Sequence, residues 1–311
     1  MRRGRGGRRG RRWWFVFLPL LYLLPFLISC GGAEGRLVIG SKNFTESVLL
    51  GEIVAQQLER HGFEVDRRLN LGGTFICHNA MVAGQMDIYV EYTGTAYSAI
   101  LELPSEKDPV RVRAVVDSIY RERWELVWTE PLGFNNTFAM LVRAADAQAL
   151  GISTLSEAVR HADQWRFGAG YEFIERADGY RGLLESYEME FAGQPVEMEL
   201  GITYRALADN RVDIIAGNST DGQIEALGLF HLEDDRGYFP PYEAVPVVRS
   251  EVLRQHPEVG IALRALAATL TDGEMSRLNY LVDVEKRDVR TVAGEFLEKL
   301  DGERGKGKGE R

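Results

Sequence analysis

The chain has 311 residues, 45% of them hydrophobic and 27% charged, and a formal net charge of −9. That length holds two domains of ordinary size, with enough apolar side chains to bury a core in each. The acidic balance argues against nucleic-acid binding, which rests on neutralising phosphates.

The first segment stands apart in composition. Arg2, Arg3, Arg5, Arg8, Arg9, Arg11 and Arg12 precede an apolar run from Trp13 to Ile28, which ends in Leu27-Ile28-Ser29-Cys30. Basic head, apolar core and small residues read as a secretory signal, and the run is short for a membrane span of roughly 20 residues. Leu-Ile-Ser-Cys resembles a lipobox, in which the cysteine is lipidated; the alternative is an anchor helix with an incidental Cys30. Removing residues 1–29 moves the formal charge from −9 to −16. Cys30 and Cys77 are the two cysteines. Lipidation of Cys30 leaves Cys77 without a disulfide partner, and a buried, inert place on a helix is expected for it. Residues 30–35 read as a tether. Residues 301–311 contain no apolar side chain and read as a disordered tail.

Between these ends, strand and helix signals alternate. Arg36–Gly40 reads as a strand. Asn43 and Glu46 fit a capping box opening a helix, with Leu50, Ile53, Val54, Gln57 and Leu58 on one face and Gly62 as its stop. Phe63–Leu69 reads as a strand, Gly73–Gly84 as a short helix and Asp87–Glu91 as a strand. This β-α-β-α-β series predicts a parallel sheet with helices on both faces. The pattern restarts with strands at Phe138–Val142, Trp165–Ala169, Val196–Leu200 and Val212–Ala216. Helices fall between them, one opened by a Thr154–Glu157 capping box. After Pro240-Pro241 comes a strand at Ala244–Val248, then helices at 251–255, 257–271, 273–282 and 288–300. These last helices need a sheet to pack on. The chain is therefore expected to visit lobe 1 (36–136), cross to lobe 2 (137–241) and return to lobe 1 (242–300). Two crossings near 134–139 and 238–243 would form a hinge, with a ligand cleft between the lobes.

Catalytic motifs are missing. The sequence has no Gly-x-Gly-x-x-Gly after a strand, no Walker-type Gly-x-x-x-x-Gly-Lys followed by Ser or Thr, and no Gly-x-Ser-x-Gly. His61, His78, His161, His231 and His256 are isolated, without metal-ligand spacing. Glu233-Asp234-Asp235 reads as a turn rather than a metal site. No cofactor and no metal are expected, and an exported enzyme is the minor alternative.

Several strings stand out: Gly40-Ser-Lys-Asn-Phe-Thr-Glu46, Tyr89-Val-Glu-Tyr-Thr-Gly-Thr-Ala-Tyr97, Gly133-Phe-Asn-Asn-Thr-Phe138, Glu175-Arg-Ala-Asp-Gly179, Ser219-Thr-Asp-Gly222 and Phe239-Pro-Pro-Tyr-Glu243. Together they resemble the glycine betaine/choline/carnitine-binding proteins of osmoprotectant ABC importers, the OpuAC-like family, from about Arg36 to Leu300. The resemblance implies an α/β, two-lobed periplasmic-binding-protein fold of the second type with a two-segment hinge. It also implies extracytoplasmic work for an ABC permease and its ATPase. The ligand would be a small quaternary ammonium compound, and the protein would be held at the membrane by lipid on Cys30.

A trimethylammonium group is cationic but has no N–H, so aromatic faces must hold it. The carboxylate of a betaine needs Arg, Lys, a hydroxyl or a helix N-terminus. By resemblance, the aromatic box is Tyr92 and Tyr242, the carboxylate clamp is Lys42, Thr95 and Arg176, and Asn136 lies beside the ligand. Phe138 and Asn218 stand where familiar members of the family have Tyr. Phe138 keeps a ring and Asn218 does not, so the cage is expected to be open on one side or closed by a residue such as Phe75. The alternatives are a different ligand in the same clamp, such as ergothioneine or a non-betaine solute, and a sensor without transport.

Overall fold

The structure is a computed structural model that describes residues 36–308. The expected signal (1–29), Cys30 and the tether (30–35) lie outside the described residues. The strands are β1 (Arg36–Lys42), β2 (Glu64–Gly72), β3 (Ile88–Tyr92), β4 (Leu126–Trp128), β5 (Phe138–Arg143), β6 (Phe167–Ala169), β7 (Val196–Glu197), β8 (Ile214–Asn218), β9 (Leu229–Leu232) and β10 (Ala244–Arg249). They form two five-stranded sheets, ordered β2-β1-β3-β10-β4 and β7-β6-β8-β5-β9.

β1 runs parallel to β2 and β3, as a β-α-β-α-β series requires. β10 is antiparallel to both β3 and β4. The first sheet is thus mixed, not wholly parallel as the sequence suggested. The register gives the reason: Ala244, which opens β10, pairs with Tyr92, which closes β3. The returning chain enters the sheet at the edge where β3 leaves it, so it must run backwards.

Residues alternate across each sheet with period two. Ile88, Val90 and Tyr92 point to one core, where the helices Thr45–Arg60, Pro257–Arg264, Asp272–Asp283 and Val289–Lys308 pack. Tyr89, Val245 and Val247 point to the opposite core, with Cys77 and Met81 from the helix Thr74–Val82 and Val112 and Val116 from the helix Pro109–Trp124. The second sheet is covered likewise, with Met140, Val142 and Phe167 on one face and Leu141, Ile215 and Tyr204 on the other.

The Thr154–Glu157 capping box is present. The Asn43–Glu46 box is not. The helix begins at Thr45, its N-cap Phe44 makes no side-chain cap, and Glu46 turns inward to other partners. The strand expected at Val196–Leu200 is only two residues long, because Leu200 already opens the helix Leu200–Ala208. Over residues 301–308 the tail also differs from the reading of disorder. The last helix runs on to Lys308, and Arg60 holds Asp301 at 2.7 Å. Extending an existing helix costs little, because each added residue gains one backbone bond.

The chain crosses between the sheets twice, through 129–137 and 233–243. The two crossings pair with each other. The Asn136 amide donates to the Tyr242 carbonyl at 3.1 Å, and the Tyr242 amide to Asn135 Oδ1 at 2.6 Å.

Candidate functional site

Where β1 and β3 end, β5 begins and β8 ends, a cleft of about 1380 Å³ opens between the sheets. Strand ends at a sheet edge are where open α/β folds present ligand-binding groups. Lys42 closes β1, Tyr92 closes β3, Phe138 opens β5 and Asn218 closes β8, and all four line the cleft. Thr95, Asn136, Arg176 and Tyr242 line it too. The eight residues singled out from the sequence therefore surround one cavity.

Arg176 follows the short helix Tyr171–Glu175 and is buried. Its guanidinium grips Asp178 with two bonds, 2.8 Å from Nε and 2.5 Å from Nη2. A third bond, 3.2 Å, goes to the Thr95 hydroxyl on the first-sheet side. Burial opposes the guanidinium's charge, but Asp178 more than offsets this and leaves its pKa raised. Tyr242 donates to the same Asp178 at 2.6 Å. The guanidinium carbon lies 5.1 Å from the centre of the Phe138 ring and 5.9 Å from that of Tyr242, within cation–π range. Gly94 admits Tyr242: a Cβ there would come within 2.7 Å of the Tyr242 ring and of the Pro241 carbonyl.

Lys42 is buried and paired with the fully buried Glu91 at 2.6 Å. Its ammonium sits 4.7 Å from the Tyr92 ring centre. The two basic side chains of the cleft thus hold carboxylates of the protein's own and lean on the very rings assigned to the ligand's cation.

Beneath Tyr92 lies a residue that sequence reasoning placed elsewhere. Glu46 is buried and accepts four hydrogen bonds: Tyr92 OH at 2.6 Å, Asn136 Nδ2 at 2.8 Å, Thr220 Oγ1 at 2.5 Å and Asn279 Nδ2 at 2.9 Å. Burial raises its pKa, and the four donors oppose that. Asn136 therefore faces Glu46 with its side chain. Capping-box spacing pointed Glu46 at its own helix, and no local signal marked Asn279.

At the Asn218 corner, Asp221 accepts from the Tyr204 hydroxyl and from Asn218 Nδ2 at 3.4 Å. Burial, reinforced by the charges of Glu46 and Asp283, raises the Asp221 pKa well above its ordinary value. Phe75, the suggested substitute ring, lines the cleft but is 53% exposed, at the rim. Phe173 was missed; it stacks edge-on against Phe138 at 4.8 Å. Eight carboxylate residues and two basic residues line the cavity, an excess that draws cations in.

Cys77 is buried on its helix, and burial pushes its thiol up to about 12, which leaves it unreactive. Asp234, in the acidic turn, accepts from the Tyr238 and Phe239 amides, both at 2.9 Å, and ties down the second crossing. Among the described residues, no group of His, Cys, Asp and Glu is arranged to hold a metal, and no helix is long and apolar enough to cross a membrane.

Two sheets flanked by helices, joined by paired crossings around a polar cleft, define the clamp of a type II periplasmic binding protein. A lactococcal OpuAC in its closed, glycine betaine-bound form shares this fold (TM-score 0.62, 15% identity, 88% of this chain and 99% of that one). The chain belongs to the OpuAC family, the substrate-binding domain of ABC-type glycine betaine transport systems, whose profile matches residues 35–299. Members of this family bind substrates for transport and are not a class of enzymes, and the substrate-binding proteins of ABC importers work outside the cytoplasm.

Among curated relatives, the chain is 35% identical to the ergothioneine transport permease/ergothioneine binding protein EgtU of Helicobacter pylori over 92% of its length, but spans about half (51%) of that longer protein. It is 33% identical to the carnitine transport binding protein OpuCC of Listeria monocytogenes, covering 92% of this chain and 96% of that one. The same comparison with a glycine-betaine-binding protein of Pseudomonas aeruginosa gives 34%, 90% and 94%. A crystal structure of a glycine betaine/carnitine/choline ABC transporter protein superposes with a TM-score of 0.72 at 32% identity, over 85% of this chain and 98% of the other.

Proposed function

We propose that the cleft takes up a small quaternary-ammonium solute such as glycine betaine, carnitine or choline and hands it to a transmembrane permease driven by a cytoplasmic ATPase. The observation that carries this reading is the setting of Arg176, a planar cation held against the Phe138 and Tyr242 rings inside an acidic cavity. Those faces are arranged for positive charge without requiring an N–H donor. Arg176, Lys42 and Thr95 take the ligand's carboxylate by exchanging it for Asp178 and Glu91.

In this reading lobe 1 comprises 36–136 and 242–300, lobe 2 comprises 137–241, and the lobes close about the paired crossings. Lipidation at Cys30, after removal of residues 1–29, tethers the protein at the membrane. A thermal-shift panel of glycine betaine, carnitine, choline, ergothioneine and common amino acids tests the ligand class. Quaternary ammonium compounds should raise the melting temperature and amino acids should not; a shift with amino acids alone would overturn it. A second reading, ergothioneine, is favoured by the identity with EgtU and by the room that Asn218 leaves where a ring would stand.

A further inference from the structure

On β8 itself the cage has no ring, and Tyr204 behind that corner turns its hydroxyl to Asp221 and to the Asn218 amide. β8 ends at Asn218, opposite Phe138 on β5, and the Asn218 side chain reaches Asp221. The residues facing this corner from the first sheet begin at Phe44. Thr45 donates to Asp283 at 2.6 Å, and Glu46 accepts from Thr220 at 2.5 Å. Residues 44–46 therefore stand against the loop 218–221. The charges of Glu46 and Asp283 are felt at Asp221, which agrees with that placement.

Phe44 lines the cleft and is half-buried. It is extended (φ −140°, ψ 156°) and directly precedes the helix Thr45–Arg60, and its carbonyl accepts the Val48 amide at 3.1 Å. The backbone is thus fixed on both sides of the ring. Part of the ring packs on the first-sheet core, and its centre lies 6.2 Å from that of Tyr92 with the planes 32° apart. The Lys42 ammonium lies 5.8 Å from its centre, so this ring already borders a cation.

We propose that Phe44 supplies, from the first sheet, the aromatic wall that Asn218 does not supply from the second, and that it makes the site prefer a permanent cation over a neutral group of the same shape. The proposal rests on the quaternary-ammonium reading above. Phe44 is then a specificity-determining residue.

The test is calorimetry with glycine betaine against 3,3-dimethylbutanoate, and with choline against 3,3-dimethylbutan-1-ol, in which carbon replaces the quaternary nitrogen. Phe44→Leu should weaken the quaternary ammonium ligands about tenfold and their carbon isosteres less than twofold, while Phe44→Tyr keeps the preference. Should Phe44→Leu not fold, trifluorophenylalanine at position 44 keeps the shape and removes the negative ring face, and the same selective loss is expected. Equal losses for the quaternary ammonium ligands and their carbon isosteres, or no loss at all, would overturn the proposal. Failure of the wild type to bind either quaternary ammonium ligand would instead bring down the quaternary-ammonium reading, and this inference with it.

Discussion

Thr220, on the loop after β8, donates its hydroxyl to Glu46, on the first turn of the helix Thr45–Arg60, and so ties the second sheet to a carboxylate buried behind the first. Asn279 adds a second tie, with its amide on both Glu46 and the Thr220 carbonyl (2.9 and 3.0 Å). Hydrogen bonds to charged groups are worth about 1.5–3 kcal/mol. Thr220→Val should therefore cost about that much in urea unfolding, and Thr220→Ser should recover most of it.

The same carboxylate sets an unusual pH dependence. The folded pKa of Glu46 lies above its ordinary value of 4.5, chiefly through burial, and Asp221 is shifted the same way from 3.8. Both groups hold protons more tightly in the folded protein. Their stabilising effect is complete below the unfolded values and is lost as pH rises through the folded ones. The contribution of these two groups to the melting temperature should shrink as pH rises above their ordinary values, against an opposite gain up to about pH 6.5 from His78 and His231, which burial keeps neutral, and Glu46→Gln should remove much of that loss. Glu59, Asp213 and Glu274 are shifted downward and act only at lower pH.

Arg176 joins Thr95, Asp178 and two rings, so its loss is felt twice. Arg176→Ala removes the proposed ligand contact and leaves Asp178 buried beside Tyr242 with no cation. Calorimetry should show glycine betaine binding at least tenfold weaker, by about 1.4 kcal/mol or more. Arg176→Lys should recover little of this, because an ammonium cannot reproduce the two-pronged bond to Asp178.

Glu172 reaches from the second-sheet side to Thr74, accepting from its amide at 2.5 Å and its hydroxyl at 3.1 Å. Glu172 lies at the start of the helix Tyr171–Glu175 and lines the cleft, and Thr74 starts the helix Thr74–Val82 between the cleft-lining Gly73 and Phe75. If the lobes close as proposed, this contact favours the closed arrangement. Glu172→Ala should enlarge the ligand-free protein in small-angle X-ray scattering and weaken ligand binding about tenfold, while the melting temperature changes little.

Much of this was legible in the sequence because the strands are short apolar runs, buried on both faces, that carry turn residues at their ends. Arg36–Gly40, Asp87–Glu91 and Phe138–Val142 gave nearly the observed strands, and the Thr154–Glu157 spacing gave its cap. The stretch between residues 101 and 133 yielded no element, although Asp108 caps the helix Pro109–Trp124 by accepting the Val110 amide at 3.0 Å. β4 and β9, of three and four residues, are too short to show a period. At the site, the strings around Lys42, Tyr92 and Arg176 marked the lining. The buried partners could not be read from spacing: Glu46 meets Thr220 and Asn279 across 174 and 233 residues, contacts that only the folded sheets create.

The most direct test of the central claim is a crystal structure of the protein with glycine betaine. The quaternary nitrogen should lie within about 6 Å of the Tyr242 and Phe138 ring centres, with the carboxylate on Arg176 and Asp178 released from it. A nitrogen placed away from both rings, with the Arg176–Asp178 pair still intact, would contradict the account.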